Sequence, residues 1–201
     1  MLRCAISDRH WFAEGEHDHR AALSRQAALL AGGGVDFFQL REKDLSAAEL
    51  AAIARSLLVI LQLSATKLLI NTRADVALVT SAHGVHLTSS PDELTPRQVH
   101  ALYKQAGLHA PIVTLSCHSL EDVVRHCREP LSAILFGPVF EKSVSGKRHA
   151  GGTGLDLLRQ ACIAAGPIPV LALGGVTPQN TDACLEAGAS GVAGIRLFQH
   201  A

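Results

Sequence analysis

The chain has 201 residues, enough for one well-buried domain and short for two. Apolar residues make up 48% of it and aromatic ones only 4%, so the core must be built from Ala, Leu, Val and Ile, the composition of helices packed on a parallel sheet. Eighteen basic and eighteen acidic side chains cancel, which leaves no electrostatic footprint for nucleic acid or an anionic membrane, and the five cysteines are odd in number and widely spaced, without metal-ligand pairing.

Leu2–Ser7 reads as a first strand, followed by a polar loop, Asp8–His17, that carries the only Trp. Ala21–Ala31 is an alanine-rich helix stopping at Gly32–Gly34. Val35–Leu40 is the second strand, with Arg41, Glu42, Lys43 and Asp44 projecting from its carboxyl end. Ser46 and Glu49 form a capping box that opens a long amphipathic helix to about Leu63. Lys67–Asn71 is strand three, Ala74–Thr80 a short helix, His83–Leu87 strand four, and Thr95-Pro96 starts a fourth helix. Pro111–Leu115 is strand five, delivering Ser116, Cys117 and His118, with Ser119 capping the fifth helix; Leu131–Phe136 is strand six. The longest polar stretch runs from Gly137 to Gly154, the length of a binding loop or lid.

A sixth helix follows, and then Val170–Leu173 is strand seven, ended by Gly174-Gly175, whose backbone is free to take positive φ. Thr177-Pro178 reads as a cap and first helical position, Gly188 as the stop, and Gly191–Ala193 as strand eight, closing in a second glycine turn at Gly194. Eight strands alternating with helices at a repeat of roughly 25 residues give a single-domain α/β (β/α)8 barrel, the TIM-barrel class, over residues 1–201, with the last helix truncated. A doubly wound sheet would carry a glycine fingerprint after its first strand, and none is there. No apolar run reaches the length of a membrane span and no secretory leader follows Met1, so the expected place is the cytoplasm.

Barrel enzymes work at the carboxyl ends of their strands. That rule selects Gln39, Arg41, Lys43, Asn71, His86, Ser116, His118, Lys142, Lys147, Arg148, Gly175 and Ile195. Two glycine turns at the ends of adjacent late strands expose amides in one place, the natural seat of a phosphate dianion. Arg41 and Lys43 put two cations at the mouth for a second anionic group; the alternative is a solvated charge run. His118 is the candidate for proton transfer, since an imidazole takes and gives a proton near neutral pH; the alternative is a surface histidine at a helix entry. Cys117 is read as packing.

Seven motifs in order, Gln39–Lys43, Ile70–Arg73, Gly84–Leu87, Ser116–Ser119, Phe136–Phe140, Leu173–Val176 and Ala187–Ala193, resemble the thiamine-phosphate synthase superfamily over nearly the whole chain. The resemblance implies a TIM barrel, often a homodimer, working in thiamine biosynthesis on thiazole phosphate and hydroxymethylpyrimidine pyrophosphate. It holds two activities. The synthase, a transferase, uses an Asn-Asp pair after strand three and a further Asp after strand four to bind magnesium and pyrophosphate. Here Thr72 stands at the first Asp, and the second position falls near Pro91, with Asp92 one step along and Glu93 after it. A threonine hydroxyl is a poor substitute for a carboxylate on Mg²⁺. The thiazole tautomerase branch, an isomerase, lacks the same carboxylates and is similar in Thr88–Pro91, Ser116–Glu121 and Gly137–Glu141.

That branch implies His118 as general acid/base on a thiazole carboxylate phosphate, with no metal and no cofactor. It places Arg41 and Lys43 toward the carboxylate, and Gly175, Gly194, Ile195 and Arg196 on the phosphate. Gln39, Asn71 and Ser116 complete the expected substrate contacts. In the strand-six loop either Lys142 or Lys147 takes the place of the family lysine, with hydroxyls from Ser143 and Ser145. The alternatives are a Mg-dependent synthase using Asp92 and Glu93 as displaced ligands, and a catalytically silent protein that binds thiazole phosphate.

Overall fold

A computed structural model describes residues 1–12, 18–144 and 147–199 of the chain, the side chains of 142–144 and 147–150 excepted. The elements are β1 (Leu2–Ile6), α1 (His19–Gly32), β2 (Phe37–Leu40), α2 (Ala47–Leu61), β3 (Lys67–Asn71), α3 (Ala74–Thr80), β4 (Gly84–Thr88), α4 (Pro96–Gln105), β5 (Ile112–Cys117), α5 (Leu120–His126) and β6 (Ala133–Phe136). There follow β7 (Lys142–Val144), β8 (Lys147–Ala150), α6 (Gly154–Ala165), β9 (Val170–Leu173), α7 (Thr181–Glu186) and β10 (Gly191–Gly194). Eight strands close a parallel barrel in the order β1-β10-β9-β6-β5-β4-β3-β2. This is the expected (β/α)8 architecture, and a three-residue 3-10 turn, Arg196–Phe198, stands where the last helix would be.

Local chemistry sets the helix starts. The Ser46–Glu49 capping box forms, as does one between Thr95 and Gln98 with Pro96 at the first helical position, and the Ser119 side chain accepts from Asp122 N–H. Within the polar stretch from Gly137 to Gly154, β7 pairs antiparallel with β8. One expectation is corrected. Helix α7 begins at Thr181, not Pro178, because Asn180 is spent on the bend before it: Oδ1 accepts from Thr177 N–H at 2.8 Å and Nδ2 donates to the Gly175 carbonyl at 3.1 Å.

Strand alternation divides the buried residues into two sets. Phe38, Leu40, Val85, Leu115 and Phe136 belong to the large core under the helices, whereas Cys4, Ile6, Ala133, Leu135, Leu171 and Ala193 form a small cluster inside the barrel. On β2 to β5 the polar Gln39, Asn71, His86 and Ser116 are buried and line the cavity, alternating with the outward apolar residues. The interior is thus apolar along β6, β9, β10 and β1 and polar along the other arc. Among the described residues no helix is long and apolar enough to cross a membrane.

Candidate active site

A cavity of about 960 Å³ opens at the carboxyl ends of the strands. Its floor is the polar arc. Gln39 Nε2 donates to Asn71 Oδ1 at 2.7 Å, and the other Gln39 amide atom, Oε1, is buried without a hydrogen-bond partner. Asn71 Nδ2 reaches Thr72 Oγ1 at 3.4 Å, and Thr72 sits in the left-handed region at φ 57°, an uncommon conformation for a β-branched residue and one that concentrates at functional sites. His86 lies between Thr114 Oγ1 at 2.8 Å and Ser116 Oγ at 2.9 Å. Burial, then the neighbouring Arg41 and His118, pushes His86 down to about 3, so it stays neutral at physiological pH.

His118 lines the cavity directly after β5. Its Nδ1 is 2.6 Å from the Gly137 carbonyl, which can only accept. Nδ1 therefore carries the proton, and the neutral ring presents Nε2 as a base. Gly137 is required for this contact: a Cβ there would lie 1.9 Å from the Leu173 carbonyl. The His118 backbone amide donates to Asp122 Oδ2 at 3.1 Å, tying the residue to α5.

The two bends follow β9 and β10. Gly174 and Gly175 have φ of 90° and 67°, and a Cβ on Gly175 would meet Phe140 Cβ at 2.7 Å, so glycine is needed there twice over. The second bend departs from the expectation: Gly194 is the last residue of β10 and is absent from the positive-φ positions, so the chain turns at Ile195 without left-handed backbone. Both bends line the cavity, as do Arg41, Lys43 and Arg196. Among the expected site residues, Gln39, Arg41, Lys43, Asn71, Ser116, His118, Gly175, Gly194, Ile195 and Arg196 are brought together. The side chains of Lys142, Ser143 and Lys147 and the whole of Ser145 lie outside the described residues. Cys117 is a buried thiol pushed up to about 12, in keeping with packing.

Sequence reasoning missed Ser7, Arg9 and Trp11 beyond β1. Glu42, 5% exposed, accepts from Ser7 Oγ at 2.6 Å and from Arg9 Nη1 at 3.2 Å, while the Arg9 guanidinium also grips Asp44. The strand-end rule that selected Arg41 applies equally to Ser7, which directly follows β1.

The residues do not fit a magnesium ion at the synthase position. Asn71 Oδ1 is engaged by Gln39, Thr72 supplies a neutral hydroxyl, and Glu93 Oε2 accepts from Thr88 Oγ1 at 3.3 Å. Asp92 is exposed, neither it nor Glu93 lines the cavity, and no group of three His, Cys, Asp or Glu residues that could hold a metal exists among the described residues.

Comparison with known proteins places this geometry in a family. A family profile described as Thiamine monophosphate synthase matches residues 5–198. The chain is 37% identical over 194 residues to a putative thiamine-phosphate synthase 2 of Aquifex aeolicus, covering 96% of this chain and 95% of that one. It is 33% identical over 178 residues to the thiamine-phosphate synthase of Thermus thermophilus, covering 89% and 81%. The structure of thiamine phosphate pyrophosphorylase from Pyrococcus furiosus superposes with a TM-score of 0.78 at 25% identity, covering 100% of this chain and 88% of that one. The chain belongs to the thiamine monophosphate synthase family.

Proposed function

We propose that the chain binds a phosphorylated thiazole across the barrel mouth and moves a proton on it without a metal ion, as a thiazole tautomerase of the synthase family. The observation that carries the reading is the pinned imidazole: Nδ1–H is committed to the Gly137 carbonyl, and Nε2 is left basic on a cavity wall. In this reading the phosphate ester sits at the Gly174–Val176 and Ile195 bends, where the Gly175 and Val176 amides donate to no protein acceptor among the described residues. Arg41 and Lys43 face a carboxylate. His118 Nε2 takes a proton from one carbon and returns it to another, so atoms balance and neither oxidant nor reductant is required. Neutral His86 holds Ser116 without adding a second charge to the floor.

A second reading, coupling of hydroxymethylpyrimidine pyrophosphate to thiazole phosphate, is favoured by the names of the relatives, which are synthases; none of those cited is named as an isomerase. The donor set around Asn71 and Thr72 does not favour it. Incubation with both heterocycles, with and without Mg²⁺, separates the readings by pyrophosphate release. The first predicts none beyond background, while the non-aromatic thiazole tautomer is converted in the presence of a chelator. Magnesium-dependent release would replace it with the second. Tight thiazole phosphate binding by calorimetry without turnover in either assay would leave a silent binder.

A further inference from the structure

The loop after β1 joins the two charged sides of the mouth. Glu42 lies between Arg41 and Lys43 and holds both Ser7 and Arg9; the Arg9 amide also donates to Glu42 Oε2 at 3.3 Å, and Arg41 N–H donates to Ser7 Oγ at 2.9 Å. Arg9 begins the 3-10 turn Arg9–Trp11, capped by the Asp8 side chain. The turn ends on Trp11, the single Trp of the chain, which is 41% exposed at the cavity rim while Phe38 and Phe136 are fully buried. From the end of the neighbouring strand β10, the Arg196 guanidinium carbon lies 5.3 Å from the centre of the Trp11 ring. Arg196 directly follows the Ile195 bend.

We propose that Trp11 is a positioning residue of the phosphate end: its ring face fixes the Arg196 guanidinium beside the Gly194–Ile195 bend, and Glu42, through Arg9, fixes the turn that carries Trp11. This rests on the phosphate reading given above. The physical reason is preorganisation. An arginine side chain has many rotamers, and holding its head on an aromatic face before an anion arrives removes part of the entropy lost on binding. The same anchor ties the segment of Arg41 and Lys43 to the phosphate side, so the two anion-binding ends share one support.

The test is calorimetric titration of the full chain with inorganic phosphate and with thiazole phosphate, comparing wild type, W11L, W11F, R196M and W11L/R196M. W11L should weaken both probes about fivefold and W11F less than twofold, since a phenyl face keeps most of the attraction. In the R196M background W11L should add nothing, and the unphosphorylated thiazole alcohol should bind wild type and W11L alike. Fluorescence of the single Trp should respond to inorganic phosphate in wild type but not in R196M. W11L equal to wild type, or a W11L loss that persists undiminished in R196M, overturns the inference; W11Q serves if W11L fails to fold. Should the pattern appear with inorganic phosphate while thiazole phosphate does not bind, the substrate reading falls and the role of Trp11 stands. A wild-type chain that binds neither probe overturns both.

Discussion

His86 Nε2 stands 2.9 Å from Ser116 Oγ, and both side chains are buried at the floor of the cavity. With its other nitrogen at Thr114 the ring is held between two hydroxyls, and it is pushed down to about 3 by burial, then by Arg41 and His118. In the unfolded chain a histidine takes up a proton near its ordinary value of 6.5, whereas the folded chain does so only near 3. Between those values the unfolded state binds more protons. Stability from this group is therefore fully present above pH 6.5 and falls with decreasing pH, by about 1.4 kcal/mol per unit. Urea unfolding of wild type and H86Q should show the gap between them narrowing by about 2 kcal/mol from pH 7.5 to pH 5. A gap independent of pH would contradict this.

Glu42→Ala removes the acceptor of Ser7 and of a mostly buried Arg9, whose side chain is 14% exposed. Leaving a desolvated cation and hydroxyl with fewer partners should cost about 3 kcal/mol in urea unfolding at neutral pH. Glu42→Gln, which keeps an acceptor, should cost less. A loss under about 0.5 kcal/mol for the alanine variant would mean that the anchor carries no stability.

Gly175→Ala forces a side chain into φ 67° and against Phe140 Cβ at 2.7 Å. A loss of about 1–3 kcal/mol in unfolding, together with weaker phosphate binding, is expected. An alanine variant that binds inorganic phosphate as tightly as wild type would show that the bend is not the phosphate seat.

Ser46→Ala breaks the capping box of α2, in which Ser46 Oγ accepts from Glu49 N–H at 3.3 Å and Glu49 Oε2 accepts from Ser46 N–H at 3.0 Å. The box draws the Glu49 carboxylate below its usual range, chiefly through the Ser46 hydroxyl. The loss should be about 1 kcal/mol, read from the urea midpoint, with no change in phosphate binding because the cap lies outside the cavity lining.

Alternation and capping made the barrel legible in the sequence. A strand such as Val35–Leu40 announces two faces, and Ser46, Thr95 and Ser119 announce helix starts, because these signals depend on neighbours within a few residues. The cavity lining was legible where the strand-end rule applied, from Gln39 through His118. What the sequence hid depends on distant partners. Asn180 looks like a helical residue after Thr177-Pro178 until its amide is seen clamping the Gly175 bend. Glu42 reads as one charge in a run until Ser7 and Arg9, more than thirty positions away, are found on it. Trp11 reads as a loop residue, since nothing local to it mentions Arg196.

The most direct measurement is conversion of the non-aromatic thiazole carboxylate phosphate by wild type and His118→Ala in the presence of a chelator, with calorimetric binding of the aromatic product phosphate alongside. Loss of the general acid/base should lower turnover at least about a hundredfold while affinity changes less than about twofold. Unchanged turnover in His118→Ala, or turnover in wild type that appears only when Mg²⁺ is restored, would contradict the account.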